Sequence, residues 1–224
     1  MYDAQFLNEA LLPALNRGVL TSMALIVPSA VFGLLFGVLL GVVRVYGGPT
    51  ARKAAELYTA TFRGVPLVVQ LMILYFGLPN IGIYFEPYTA AVVGFILCSG
   101  AYHSEYIRGA LISIRQGQLK AAQALGFTKV QTVLWIVIPQ AMRRALPGCG
   151  NEMVYLIKYS SLAYVITCIE LTGEAKVVAA RSFRFTEVFL MVGAYYLFMV
   201  SAASWLLHRL EERFHIPGFG RPKQ

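Results

Sequence analysis

Phe32-Gly-Leu-Leu-Phe-Gly-Val-Leu-Leu-Gly-Val-Val43 carries no charged and no polar side chain. Extended upstream to Gly18, the run exceeds the roughly 20 mainly apolar residues that cross a bilayer core as a helix. Val65 to Leu78 and Ala90 to Leu97 are equally free of charge. The whole chain of 224 residues is 58% hydrophobic and 13% charged, against about 25% charged in a soluble domain. Its mean hydropathy is +0.63. This composition excludes a disordered chain, a nucleic-acid-binding domain and most soluble enzymes. It specifies an all-α integral membrane protein.

Five segments are long enough to span: Gly18–Val43, Glu56–Leu78, Tyr88–Leu111, Ala145–Ile169 and Glu187–His208. Asn151, Glu152 and Lys158 interrupt the fourth. The first run is too long for a cleaved leader and follows no basic region, so it is expected to stay in the mature protein. The net charge of +8 matters less than its distribution. Arg44, Arg52 and Lys53 follow the first span. Arg108, Arg115, Lys120, Lys129, Arg143 and Arg144 lie at or beyond the end of the third, and Arg209, Arg213, Arg221 and Lys223 close the chain. The opposite side has only Arg17, Lys176, Arg181 and Arg184. Lys and Arg accumulate on the cytoplasmic side, which predicts the N-terminus outside and the C-terminus inside. Asp3, Glu9, Glu86, Glu170, Glu174 and Glu187 then all fall outside.

The connection over residues 112–144 is anomalous for its length. KAAQAL is strongly helix-forming, Gly126 follows as a C-terminal stop, and Thr128-Lys-Val-Gln131 reads as a capping box. The apolar stretch Val133 to Ile138 is expected to end at Pro139. Two short helices around a glycine elbow make a docking element, or else a hairpin lying on the lipid surface.

This loop resembles the signature of the membrane subunits of bacterial ATP-binding-cassette importers. That signature is Glu-Ala-Ala, three residues, Gly, nine residues, Ile, one residue, Leu and Pro. Lys120-Ala121-Ala122, Gly126, Ile136, Ile138 and Pro139 keep every spacing. Lys120 replaces the acid and Ile138 the leucine. Three further runs resemble permeases for histidine, glutamine, glutamate and arginine: Tyr58-Thr-Ala-Thr-Phe62-Arg63-Gly64-Val65-Pro66-Leu67 with Gln70, Ala101-Tyr102-His103-Ser104-Glu105, and Asn151-Glu152-Met153-Val154 with Lys158-Tyr159-Ser160-Ser161-Leu162-Ala163. The resemblance runs from about Gly18 to Phe214. It implies a type I importer permease fold over 1–224, with coupling helices in the loop. Gly117, Lys120, Ala121, Ala122, Gly126, Ile136 and Pro139 would face the ATPase, and the inverted charge at Lys120 changes the usual polar contact there. The implied partners are an ATP-binding-cassette ATPase dimer holding ATP and Mg, a second permease subunit (identical or related), a periplasmic or lipid-anchored amino acid binding protein, and the lipid of a bacterial inner membrane. No nucleic acid is implied.

An ionisable group at mid-span costs about 2.5–3.5 kcal/mol on insertion scales, so each needs a reason. Arg63, Glu105, Glu152 and Lys158 balance in charge, which suits mutual pairing, a salt-bridge gate or a zwitterionic ligand. Pro66 removes a hydrogen bond from the carbonyl near Phe62, and a break is expected at Gly64–Pro66. Broken helices at mid-membrane line transport sites in many carriers, and Pro kinks also serve packing. Arg63, Ser99, His103, Glu105, Lys158, Tyr159, Ser160 and Ser161 are the pathway candidates, between the second, third and fourth spans. Gly33, Gly37 and Gly41 repeat at the interval that lets helices approach closely. His208 and His215 are assigned no chemistry. Cys98, Cys149 and Cys168 read as small buried residues.

The chain contains no Gly-x4-Gly-Lys-Ser/Thr loop, no zinc pair and no nucleophile elbow. Neither catalysis nor a cofactor on this chain is expected, and ATP would be handled by another polypeptide. The leading reading is a permease subunit of a polar amino acid importer. An importer for another small solute, such as methionine or an opine, is the nearest alternative. A secondary transporter or channel would more commonly show repeated halves, and a scaffold recruiting a partner would not explain the buried charges.

Overall fold

The computed structural model describes residues 4–214; His215, Arg221 and Lys223 lie outside the described residues. The described chain is helical throughout, without strands. We number the helices α1 (Ala4–Tyr46), α2 (Pro49–Gly64), α3 (Leu67–Ile81), α4 (Pro87–Ile112), α5 (Gln116–Ala124), α6 (Lys129–Ile166), α7 (Leu171–Ser182) and α8 (Phe185–Phe214).

The principal seam joins α1 to α4. Ser22, Ser29, Gly33, Gly37 and Gly41 form a buried stripe on α1. A Cβ at Gly33 would run into Ser99, at Gly37 into His103 and at Gly41 into Ile107. The absence of a side chain is what lets the two backbones approach. The opposite face of α1 exposes Leu20, Val27, Val31, Phe32, Leu35 and Leu39. That apolar face suits lipid rather than water. Cys98, Cys149 and Cys168 are buried, as read from the sequence.

Two helices, α1 and α8, are long and apolar enough to cross a membrane alone. The pairs α2–α3 and α6–α7, bent by 103° and 54°, bring the number to four. The expected third span, α4, is not among them. Its 26 residues would reach about 39 Å at 1.5 Å per residue. It also carries Ser99, His103, Ser104, Glu105 and Arg108, which lower its hydropathy. Helix α4 packs against α1, α2, α3 and α6 and buries most of its surface. A helix enclosed by protein does not need an apolar circumference.

The break in the second expected span falls where Pro66 places it. Helix α2 stops at Gly64, Val65 is extended, and α3 starts after Pro66. Gln70 repairs the gap: its Nε2 donates to Phe62 O at 2.8 Å and to Val65 O at 2.7 Å. At the fourth expected span two boundaries differ. Pro139 does not end a helix; α6 runs through it. The preceding residues Thr132–Val137 form a wide π-helical turn, and Pro139 sits at the start of the α-helical part that follows. Its missing N–H is tolerated at that position. The α-helix then tightens to a 3₁₀ coil at Ser160–Ile166 and stops at Thr167, φ 65°.

Candidate functional site

The loop 112–144 holds α5 and the first turns of α6 rather than two separate short helices. Leu125 ends α5; Gly126 has φ +84°, a conformation in which β-branched residues are strained. Gly126 N donates to Gln123 O and Phe127 N to Ala122 O, at 3.0 and 3.1 Å, the paired bonds of a Schellman stop. Thr128 then caps α6 through the reciprocal box with Gln131. Ala122 is buried, whereas Lys120 and Ala121 are exposed, Ile136 is half-buried and Pro139 is exposed. Gly117 is exposed with open space around its Cα, so no close contact explains its size. Ile114 and Val137 pack with Ile107, Ala141 and Ala145, while Arg144 Nη1 donates to Ser113 O at 2.8 Å. The loop is thereby fixed to the ends of α4 and α6. Its outer rim presents Leu125, Phe127, Val130, Leu134 and Trp135, the last 74% exposed.

A cleft of about 340 Å³ opens at the break between α2 and α3. Its lining runs from Arg63 to Val68 and adds Cys98, Tyr102, Tyr159 and Leu162. The Arg63 guanidinium lies 5.4 Å from the Tyr102 ring centre and 3.4 Å from Glu105 Oε2. Tyr159 stacks on Tyr155, centroids 5.9 Å apart. The cleft offers one partly exposed cation, set over the Tyr102 ring and shared with Glu105, in a lining that also includes Tyr159, which suits a carboxylate carried by a small polar molecule.

The eight pathway candidates do not share one surface. Arg63 and Tyr159 line the cleft. Ser99 and His103 are buried against the glycine stripe of α1, outside the lining of the cleft, and Ser99 Oγ and His103 Nδ1 find no hydrogen-bond partner among the described residues. Ser160 is buried and donates to Ile157 O, while Ser161 donates to Lys158 O. Both hydroxyls thus bond their own helix end. Lys158 meets no acid among the described residues; its Nζ stands 4.3 Å from the Tyr155 ring centre. Glu105 accepts from Arg44 Nη1 at 2.9 Å and from Arg108 Nε at 3.0 Å, with Arg63 as a third cation. Of the mutual pairing expected among Arg63, Glu105, Glu152 and Lys158, only Arg63–Glu105 forms among the described residues. Glu152 is 2% exposed, and its Oε1 has no hydrogen-bond partner.

Sequence reasoning missed Tyr102 and Leu162 as cleft walls and Gln70 as the brace of the break. Gln70 was noticed only as part of a motif; its place four residues after Pro66 was the available signal. Among the described residues no group of three His, Cys, Asp or Glu side chains could hold a metal.

The family model for a binding-protein-dependent transport system inner membrane component matches residues 33–216. The chain belongs to this family of ABC-transporter permeases. The permease is 38% identical over 207 residues to the glutamine transport system permease protein GlnP of Escherichia coli (strain K12), covering 92% of this chain and 94% of that one. It is 37% identical over 202 residues to the probable amino-acid ABC transporter permease protein YckA of Bacillus subtilis (strain 168), covering 90% and 89%. Among solved structures, an amino acid ABC transporter crystallised with histidines superposes with a TM-score of 0.82 at 30% identity, covering 90% of the permease and 94% of that chain. The MetNI methionine ABC transporter shares the fold, with a TM-score of 0.80 at 19% identity.

Proposed function

We propose that this permease is the membrane subunit of an ATP-driven importer that carries a polar amino acid across a bacterial inner membrane. The chain crosses five times with the N-terminus outside, α4 being the central span and the bent pairs α2–α3 and α6–α7 each counting once. The thirteen Lys and Arg residues on the side of the 112–144 loop, against four opposite, support this orientation. A receptor outside the membrane delivers the substrate, a second permease copy or relative completes the pathway, and a separate ATPase dimer holds ATP and Mg.

The observation that carries the reading is the loop end of the molecule. A positive-φ glycine turn fixes an apolar rim, from Leu125 to Trp135, to the ends of α4 and α6. Exposed large apolar side chains mark a protein or membrane contact, and the importer signature, Lys120 to Pro139, interleaves with them in the same loop, which favours a protein partner. Gly117, Lys120, Ala121, Ala122, Gly126, Ile136 and Pro139 belong to that contact region. Substrate passes by the cleft at the α2–α3 break. Arg63 receives the carboxylate, Tyr102 and Tyr159 form the walls, and Glu105, Lys158, Ser160 and Ser161 stand around them. Ser99 and His103 support the seam behind.

Gly126→Val tests the coupling. Left-handed backbone costs a β-branched residue about 1–3 kcal/mol, enough to open the turn while the spanning helices insert. Uptake should collapse, with the ATPase released from the membrane or hydrolysing without transport. Normal uptake in that variant would refute the coupling role.

A further inference from the structure

A second cleft, about 400 Å³, lies at the loop end of the bundle, away from the α2–α3 break. It is lined by Arg44, Val45, Arg52, Glu56, Arg108 and Ile112, from α1, α2 and α4. Three guanidiniums and one carboxylate face it. Arg52 is satisfied by Glu56 at 2.9 Å. Arg44 and Arg108 share Glu105 with Arg63, so three cations lean on one carboxylate. Counting these six side chains, four positive against two negative, the neighbourhood keeps two uncompensated charges.

Arg44 makes this more than a solvated basic face. Its side chain is only 10% exposed, with Nη1 donating to Ser104 Oγ at 3.2 Å and to Glu105 Oε2 at 2.9 Å. Its Nε is buried and donates to nothing. A half-satisfied guanidinium beside like charges needs an anion, and a forked donor set matches phosphate oxygens. The same lining includes apolar Val45 and Ile112, the latter 61% exposed. Cations beside exposed hydrocarbon match the polarity of a phospholipid head joined to its chains. Basic pockets between spanning helices on the cytoplasmic side bind anionic headgroups.

We propose that this cleft binds a phosphate group, supplied by an anionic phospholipid of the leaflet next to the 112–144 loop. Naming that leaflet cytoplasmic rests on the orientation given above; the anion site does not. A bound lipid would tie α1, α2 and α4 together at the foot of the broken helix.

The test uses the permease assembled with its ATPase, delipidated in neutral detergent. Phosphatidylglycerol, phosphatidylcholine or inorganic phosphate is titrated in, with retained lipid counted by native mass spectrometry and the unfolding midpoint followed. Saturable retention of phosphatidylglycerol with a rise in midpoint, absent with phosphatidylcholine, is expected. Arg52→Gln, whose side chain is 58% exposed and safe for folding, should weaken retention several-fold, and Arg44→Gln tenfold or more. Lys53→Gln, next in sequence but outside the lining, should leave it unchanged. Inorganic phosphate acting alone, with the same variant sensitivity, would support the anion site with a soluble source. Equal retention of the two lipids without a phosphate effect would overturn the proposal, as would unaltered retention in both arginine variants. Because the readout is binding rather than uptake, its failure leaves the transport reading standing.

Discussion

Replacing Gln70 by Met isolates the brace that holds the broken helix. The two side chains are similar in length and unbranched, so volume and helix propensity change little. What is lost is Nε2 and its bonds to Phe62 O and Val65 O, 2.8 and 2.7 Å long. Phe62 O has no helical donor to replace it, because residue 66 is proline. A hydrogen bond nets about 0.5–1.5 kcal/mol, and a buried group left unpaired costs about 1–3 kcal/mol. Gln70 is 5% exposed, but Phe62 and Val65 are only half-buried and Val65 lines the cleft, so water offsets part of the loss. A local cost of about 2–4 kcal/mol follows for the two together. At 1.36 kcal/mol per factor of ten, amide exchange over residues 65–72 should accelerate roughly 30- to 900-fold. Hydrogen-exchange mass spectrometry on the assembled transporter reads this directly, with peptides from the α1–α4 seam as the internal reference. Exchange within threefold of wild type at 65–72 would refute the assignment of Gln70 as the brace.

Gly37→Val would drive a side chain into His103 and the Gly100 carbonyl; overpacking of this kind costs about 1–3 kcal/mol and should lower the unfolding midpoint, while Gly193→Ala, with open space around it, should not. Glu105→Gln removes the charge shared by Arg44, Arg63 and Arg108, and uptake should fall well below that of Lys176→Gln at equal expression; equal uptake would remove Glu105 from the transport reading. A reporter active only in the cytoplasm should give signal when fused after Gln224 and none when inserted near Asn80, and the reverse pattern would overturn the five-span orientation.

Local chemistry made much of the fold legible. The apolar runs, the Pro66 break, the Gly126 turn, the Thr128 box and the glycine stripe each depend on residues a few positions apart. The structure shows all of them. What local sequence did not make legible depends on context beyond a few neighbouring residues. Whether Pro139 ends a helix depends on the wide turn at 132–137. That α4 would be enclosed by four helices, and so could carry polar residues, is a property of the assembly rather than of its own sequence.

The same distinction governs the site. The expense of ionisable groups in lipid marks Arg63, Glu105, Glu152 and Lys158 as residues that need a reason, and the pathway candidates Ser99, His103, Ser160 and Ser161 pose the same question more weakly. It could not say which reason. Ser99 and His103 fill the space left by Gly33 and Gly37, with Ser99 Oγ and His103 Nδ1 unpaired there, while Ser160 and Ser161 bond the end of their own helix. Glu105 is held by three arginines. Arg63 lines the cleft with Tyr102 and Tyr159 while also pairing with Glu105, Lys158 is exposed beside Tyr155, and Glu152, on the same helix as Tyr159, is buried with its Oε1 unpaired. The cleft lining itself contributes one cation and no acid, so under the proposed function it offers a contact for the carboxylate end of a zwitterion. All amino acids carry that carboxylate, and the side-chain preference is left to the remaining lining.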